Sequence, residues 1–508
     1  MKFHNIALSL ILSLSASVAL FSCSDDEPNQ PNNPGTEVTP PKEDPTKSEF
    51  YSVNKWMYDY MNKNYLWNEP VSSLDLDYSL GYEEFLKSIL EGVASKGNVN
   101  ADDGYYYNGE RIYFSYVDRE SAAKSKTAKS RAGDELTDCG IYMVQPIKFE
   151  NVIGYAVLAV APGTEADKAG LKRGSFIDRV GGQAITLSNY QDKAEDLVGG
   201  NVSIRVNELA GIDENGNATL SDTRTLTLGA STYTDPAIYM SKVEVSKTTG
   251  KKVAYLLYMG FETADDAKLI DVFDQFKKEG AQEIIVDLRY NPGGAVVSSV
   301  LLGTMIAGKS HNNGLYLKTV YNKQRTAKGE VGNYYLGQSK TPEGTCQSIA
   351  NGVAKALDVT RVFVIVSGQT ASASELLING LRGLDFEVNV IGTQTLGKNC
   401  GMEGIKKTFG DWEYTFYPIT FYCQNAKGFQ DYGDGFTPDL VFDDEAYYPG
   451  EFGTEHDALS GYALNWAYNG TKPTVRQSAV HSRAVSVLKP IGKQNMRRGG
   501  SIVTKPED

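Results

Sequence analysis

A chain of 508 residues exceeds what one hydrophobic core can serve, so two or three domains are expected. The composition is that of a globular protein, and 50 Lys+Arg against 63 Asp+Glu give a net charge of −13. With that balance and no basic, aromatic-rich stretch in the body of the chain, nucleic acid is not expected as a partner.

The chain opens "MKFHNIALSLILSLSASVALFSCSDDEPNQ", a Lys, an apolar core and then "LFSC". Residues 1–22 read as a secretory signal peptide, too short and too N-terminal to count as structure. Leu20, Phe21 and Ser22 before Cys23 resemble a bacterial lipoprotein box. That resemblance implies cleavage before Cys23, lipidation of its thiol and anchoring to the membrane. The expected location is the cell envelope, on the outer membrane, facing the periplasm or the surface; "SDDE" after Cys23 resembles a surface-export signal. Residues 23–48 are rich in Pro, Asn and acids, cannot bury a core, and read as a stiff tether.

From 49 to 133 the pattern is helical. Trp56, Tyr60 and Trp67 come round at three-to-four spacing, and "YEEFLKSILEGV" repeats the signal, predicting a small helical domain whose aromatic stripe is core. Between 134 and 230 short alternating strands take over, among them "YAVLAVA", "VSIRVNEL" and "TRTLTL". The segment "APGTEADKAGLKRGSFIDRVGGQAI" resembles a PDZ domain of the bacterial protease type, with its second helix starting near Ser188. The resemblance puts a carboxylate-gripping loop at Cys139, Gly140, Ile141 and Tyr142, where a peptide would add a strand to the sheet edge. "DENGNATLSD" starts like a calcium loop, but Gly216 is at its fourth position and Arg224 stands where a bidentate Glu is needed; an Asn-Gly hairpin is the better reading.

From 231 to 470 strands alternate with helices, which predicts a parallel or mixed sheet covered by helices. The tail, 471–508, is basic, poor in large apolar residues and expected to be exposed or unstructured. Besides Cys23 the chain has Cys139, Cys346, Cys400 and Cys423, whose pairing sequence alone leaves open. No Cys/His spacing suits zinc, and no metal or cofactor is implied.

The chemistry concentrates in "RVFVIVSGQTASASELLINGL", a buried strand that turns through small residues into a helix, with Ser372 and Ser374 at the turn. A serine needs a base to become a nucleophile. Apart from His4, the histidines are His311, His456 and His481, all in polar or weakly structured stretches. A lysine, ordinarily near ~10.4, becomes a competent base when burial lowers its pKa. Lys398 ends "EVNVIGTQTLGK", a strand leading into a tight turn. "NPGG" places Gly293 and Gly294 between a buried strand and a helix start, where free N–H groups suit an oxyanion, and the small Ala373 lets its own N–H approach.

"DLRYNPGG", "TASASE" and "TLGK", in this order behind a PDZ-like segment, resemble the C-terminal processing peptidases of the S41 serine peptidase family, over about Asp134 to Asn469. The resemblance implies Ser372 as nucleophile, Lys398 as base and an S41 core of the ClpP/crotonase-like type. Ser374 then reads as a helix-start hydroxyl. The family's Lys-orienting Gln falls at Met402, so either Glu403 takes that role or the orienting group is missing. The expected fold is multidomain α+β, with a helical N-terminal domain, a PDZ-like β domain and an α/β peptidase core. The expected function is an exported, membrane-anchored serine endopeptidase that cuts unfolded or C-terminally presented polypeptides. The alternatives are a catalytically silent PDZ scaffold and a hydrolase of non-peptide acyl substrates.

Overall fold

The computed structural model describes residues 45–96, 103–107, 110–121, 135–149, 152–198, 200–212, 218–445, 447, 449–475 and 488–490. The leader, Cys23 and most of the tether lie outside the described residues, as do His481 and the Asn215-Gly216 turn.

The strand–helix alternation folds into a six-stranded sheet in the order Ile238–Val245, Lys252–Tyr258, Glu283–Asp287, Arg361–Val366, Glu387–Gly392, Leu440–Val441. Only the first pair is antiparallel. Leu256, Ile284, Val286, Val362 and Val364 face a core built with helices Asp266–Glu279, Val296–His311 and Ala373–Gly383. Their neighbours Val253, Tyr255, Leu257, Ile285, Phe363 and Ile365 face helix Ala458–Asn469 on the other side. Burial on both faces explains why these strands read as unbroken apolar runs. The parallel direction matters most for the site. It brings the C-terminal ends of three strands to one edge, and "NPGG", "TASASE" and "TLGK" each follow one of those ends.

The N-terminal helices do not build a core of their own. Val53, Met57 and Met61 of helix Tyr51–Asn64, and Phe85, Ile89 and Val93 of helix Tyr82–Ser95, share a core with Cys400, Met402, Phe416 and Ile419. Strand Tyr116–Ser121 pairs antiparallel with Trp412–Tyr417. Two short helices cannot enclose an apolar stripe, so they close over a sheet contributed from 300 residues downstream.

Residues between 135 and 228 form a sheet ordered Ala218–Leu228, Val202–Ile212, Phe176–Val180, Val152–Val160, Ile141–Phe149. Helices Glu165–Lys168 and Tyr190–Val198 cover a separate core that includes Ile141, Val157, Ile177 and Leu197. Ala218 pairs antiparallel with Ile212, and the Asn-Gly turn expected between them lies outside the described residues. The tail departs from expectation in one place. Leu488–Pro490 pairs antiparallel with Ile141–Phe149 at the edge of this sheet. An open strand edge offers backbone groups that any extended segment can satisfy, so composition carries no signal of it.

Candidate active site

Ser372 caps helix Ala373–Gly383 with φ 63 and ψ −119, a conformation costing about 1–3 kcal/mol in a non-glycine residue. Three bonds hold the turn in place. Thr370 Oγ1 donates to Leu288 O at 2.8 Å, Ala371 N to Asn291 O at 3.3 Å, and Ser374 Oγ to Asn291 O at 3.0 Å. Ser374 is therefore more than a helix-start hydroxyl: it ties the serine turn to the "NPGG" loop. Ser372 is fully buried, and its Oγ has no hydrogen-bond partner among the described residues.

Gly293 backs directly onto Ser372. A Cβ at Gly293 would lie 2.6 Å from Ser372 Cβ and 2.9 Å from Ala373 N, so no side chain fits, and its φ of 111 also favours glycine. The N–H of Gly293 donates to Asn291 Oδ1 at 2.8 Å, which removes it from the expected set of oxyanion donors. Gly294 and Ala373 remain, since no group among the described residues accepts from their N–H.

Lys398 is 2 % exposed, forms no ion pair among the described residues, and has Nζ 4.8 Å from the centre of the Phe114 ring. Burial pushes its pKa below the ordinary 10.5, against opposing pulls from Cys400, Asp103, Glu375 and Cys423.

One carboxylate joins the two turns. Glu375 Oε2 accepts from the backbone N–H of Ser372 at 2.9 Å and of Lys398 at 2.8 Å. Its Oε1 accepts from Gly397 N at 2.7 Å and Thr395 Oγ1 at 2.6 Å. Burial pushes Glu375 up to about 7, and these four donors pull it back. The expectation for Glu403 fails. Its carboxylate is bound bidentately by Arg325, at 2.7 and 3.1 Å, and receives Tyr60 OH at 3.3 Å. Met402, at the family's Gln position, is buried under the N-terminal helices.

The peptide-binding loop also departs from expectation. Gly140 N–H donates to Asp138 Oδ1 at 2.7 Å, and Cys139 O and Gly140 O accept from Ala166 and Ala161. The donor meant for a peptide carboxylate is taken, and an incoming carboxylate would meet that of Asp138. Ile141 and Tyr142 are buried, in the two cores on either side of their strand.

Asp287 and Arg289 are structural. Arg289 Nη2 bonds Asp287 and Asp457, each at 2.7 Å, and Nη1 bonds Asp444 at 2.9 Å. Arg173, from the small β domain, reaches Asp457 at 3.1 Å. Against its burial, Arg289 and Arg173 hold Asp457 well below the usual carboxylate range. Of the described histidines, His456 is exposed and His311 packs edge-on against Phe386. Cys139, Cys346, Cys400 and Cys423 are all free thiols. The described residues hold no cluster of His, Cys, Asp and Glu that could bind a metal, and no helix long and apolar enough to cross a membrane.

A family profile described as Peptidase family S41 matches residues 252–442, and one described as Peptidase S41 N-terminal domain matches 52–116, together about half of the chain. The chain belongs to peptidase family S41. Both profiles span the site, since Phe114 lies in the second and Ser372, Glu375 and Lys398 in the first. A "Probable CtpA-like serine protease" of Staphylococcus aureus is 25% identical over 288 residues, 56% of this chain and 49% of that protein. The "Carboxy-terminal processing protease CtpA" of Bacillus subtilis is 25% identical over 351 residues, 67% of this chain and 60% of that one. The chain thus spans about half the length of the S. aureus relative and somewhat more of the B. subtilis one. The solved structure of a putative S41 protease from Bacteroides fragilis shares the fold, with TM-score 0.64 at 24% identity over 82% of this chain and 97% of that one.

Two site residues escaped the sequence reading of this S41 chain. Glu375 was legible only as a favourable charge in a first helical turn, although a Glu three residues after a cap serine is a capping-box signal. Asp103, buried beside Lys398, accepts from Tyr65 OH at 2.8 Å and from Ser115 N at 2.7 Å. It stands in a polar loop with no pattern around it, and nothing in the sequence could have found it.

Proposed function

We propose that this chain is a serine endopeptidase in which Ser372 is the nucleophile and Lys398 the general base. The observation that carries the reading is the shared Glu375 carboxylate, which clips the backbone of a strained, buried serine to that of a buried lysine. Neutral Lys398 takes the Oγ proton as Oγ bonds to the scissile carbonyl carbon. The N–H groups of Gly294 and Ala373 receive the oxyanion. The ammonium now on Lys398, facing the Phe114 ring, returns its proton to the leaving amine as the C–N bond breaks. Water then attacks the acyl-serine and gives a proton to Lys398; the C–Oγ bond breaks, Ser372 Oγ takes that proton back, and the new carboxylic acid leaves. Removing one oxyanion donor from such a site costs on the order of 3–4 kcal/mol of barrier.

The small β domain would act as a PDZ-like recruiting module for extended polypeptide, at strand Ile141–Phe149 beside helix Tyr190–Val198. Lipidation of Cys23 would hold the enzyme on the outer membrane of the cell envelope. The deciding experiment is digestion of an unfolded polypeptide by the purified chain and by Ser372→Ala. Cleavage by the first and none by the second is expected. No cleavage by either favours a silent peptide-binding scaffold.

A further inference from the structure

Leu488–Pro490 occupies the outer edge of strand Ile141–Phe149, with Leu488 opposite Phe149, Lys489 opposite Lys148 and Pro490 opposite Ile147. The pairing is antiparallel, so the segment runs toward Ile141, the direction of a ligand strand added to this edge. Pro490 is tolerable there because an edge strand has one side unpaired. At the far end of the same strand, the N–H of Gly140 is already given to Asp138. The edge is therefore built for the backbone of an internal extended segment, not for a chain end with its carboxylate.

We propose that this edge docks internal extended segments of polypeptide substrates, and that the chain's own 488–490 strand is their competitor in cis. The proposal rests on the recruiting role given above to the small β domain. Three paired residues hold weakly. Leu488 follows the end of helix Ala458–Asn469 by 19 positions in the same chain, however, and being in the same chain makes even a weak segment an effective competitor. An incoming substrate must displace the tail before it can lengthen the sheet past Ile147.

The test compares Ser372→Ala, which cannot cleave its ligand, with the same variant ending at Val475. The probe is a fluorescent, unstructured apolar peptide, made with a free and with an amidated C-terminus. Loss of the tail should tighten binding by about threefold or more. Amidation should change nothing, and a synthetic peptide of residues 484–494 should displace the probe. Hydrogen exchange at Ile147–Phe149 should quicken on truncation. Equal, measurable affinity in both chains overturns the competitor role and leaves the docking edge standing. Tighter binding that needs a free carboxylate overturns the preference for internal segments. No binding to either chain, with exchange still quickened, overturns competition and the recruiting role together, while the peptidase reading is decided separately by Ser372→Ala.

Discussion

Glu375→Gln keeps the volume of the buried carboxyl and changes only what its four donors meet. Three of them are backbone N–H groups, of Ser372, Gly397 and Lys398, and cannot turn round. Only the Thr395 hydroxyl can reverse, and its oxygen already accepts from Phe436 N at 2.7 Å, with one lone pair to spare. The least costly placement turns the new NH2 toward Thr395 and Gly397. Gly397 N–H is then buried and unmatched, at a cost of about 1–3 kcal/mol. The bonds kept to Ser372 and Lys398 drop from charge-assisted to neutral, which adds roughly 1–2 kcal/mol. Because burial already pushes Glu375 up to about 7, the native carboxyl is partly protonated at neutral pH and the loss falls toward the low end of the sum. A destabilisation of ~2–4 kcal/mol is expected, read as a lowered melting temperature. Gly397 borders Lys398, so misplacement should also slow polypeptide cleavage tenfold or more, each 1.4 kcal/mol of barrier being about tenfold. Wild-type melting and wild-type cleavage in Glu375→Gln would refute the idea that this carboxylate couples the two turns.

Lys398→Arg should abolish cleavage, because guanidinium keeps its proton. In the native protein burial lowers the Lys398 pKa, so the neutral base gains population as pH rises, and the rate should climb with a midpoint below 10.5; a rate that falls over this range would count against a lysine base. Cys23→Ala should shift the protein from the membrane to the soluble fraction, since stable anchoring takes more than one acyl chain and those chains depend on this thiol. Unchanged membrane retention would point to another anchor.

The strand–loop–helix frame of the site was legible because its strands are buried on both faces and so read as apolar runs, each ended by small residues. Ser372, Lys398 and Gly294 stood out as candidates for the same reason: they are polar or glycine residues just after the ends of those runs. The Glu403 expectation failed for a long-range reason and the Gly140 one for a local reason. Glu403 lies one residue from Met402 in sequence, but the end of strand Cys400–Met402 turns it to Arg325, which no local pattern reveals. The N-terminal helices were legible as a unit, and the S41 N-terminal profile matches there; helical periodicity told their apolar face but not the downstream sheet that covers it. The loop at Gly140 looked like a carboxylate grip because its glycine was legible, while the competing Asp138 acceptor depends on a backbone conformation with φ 91.

Lys398 poses an electrostatic problem that the fold answers by one means. A buried amine stays neutral only if no ionised acid stands close, yet Asp103, Glu375 and Cys423 all surround it. Each, if ionised, would raise its pKa and spoil the base. The same dry environment that lowers the lysine acts on these groups in the opposite sense. Burial raises Asp103 against the bonds from Ser115 and Tyr65, pushes Glu375 up to about 7 and pushes Cys423 up to about 12. Of these, Glu375, pushed up to about 7, is the one whose negative charge is reduced near neutral pH. As pH rises past 7, Glu375 ionises and begins to hold the proton on Lys398. The two titrations are coupled, and the midpoint of the rate profile belongs to the pair and not to Lys398 alone.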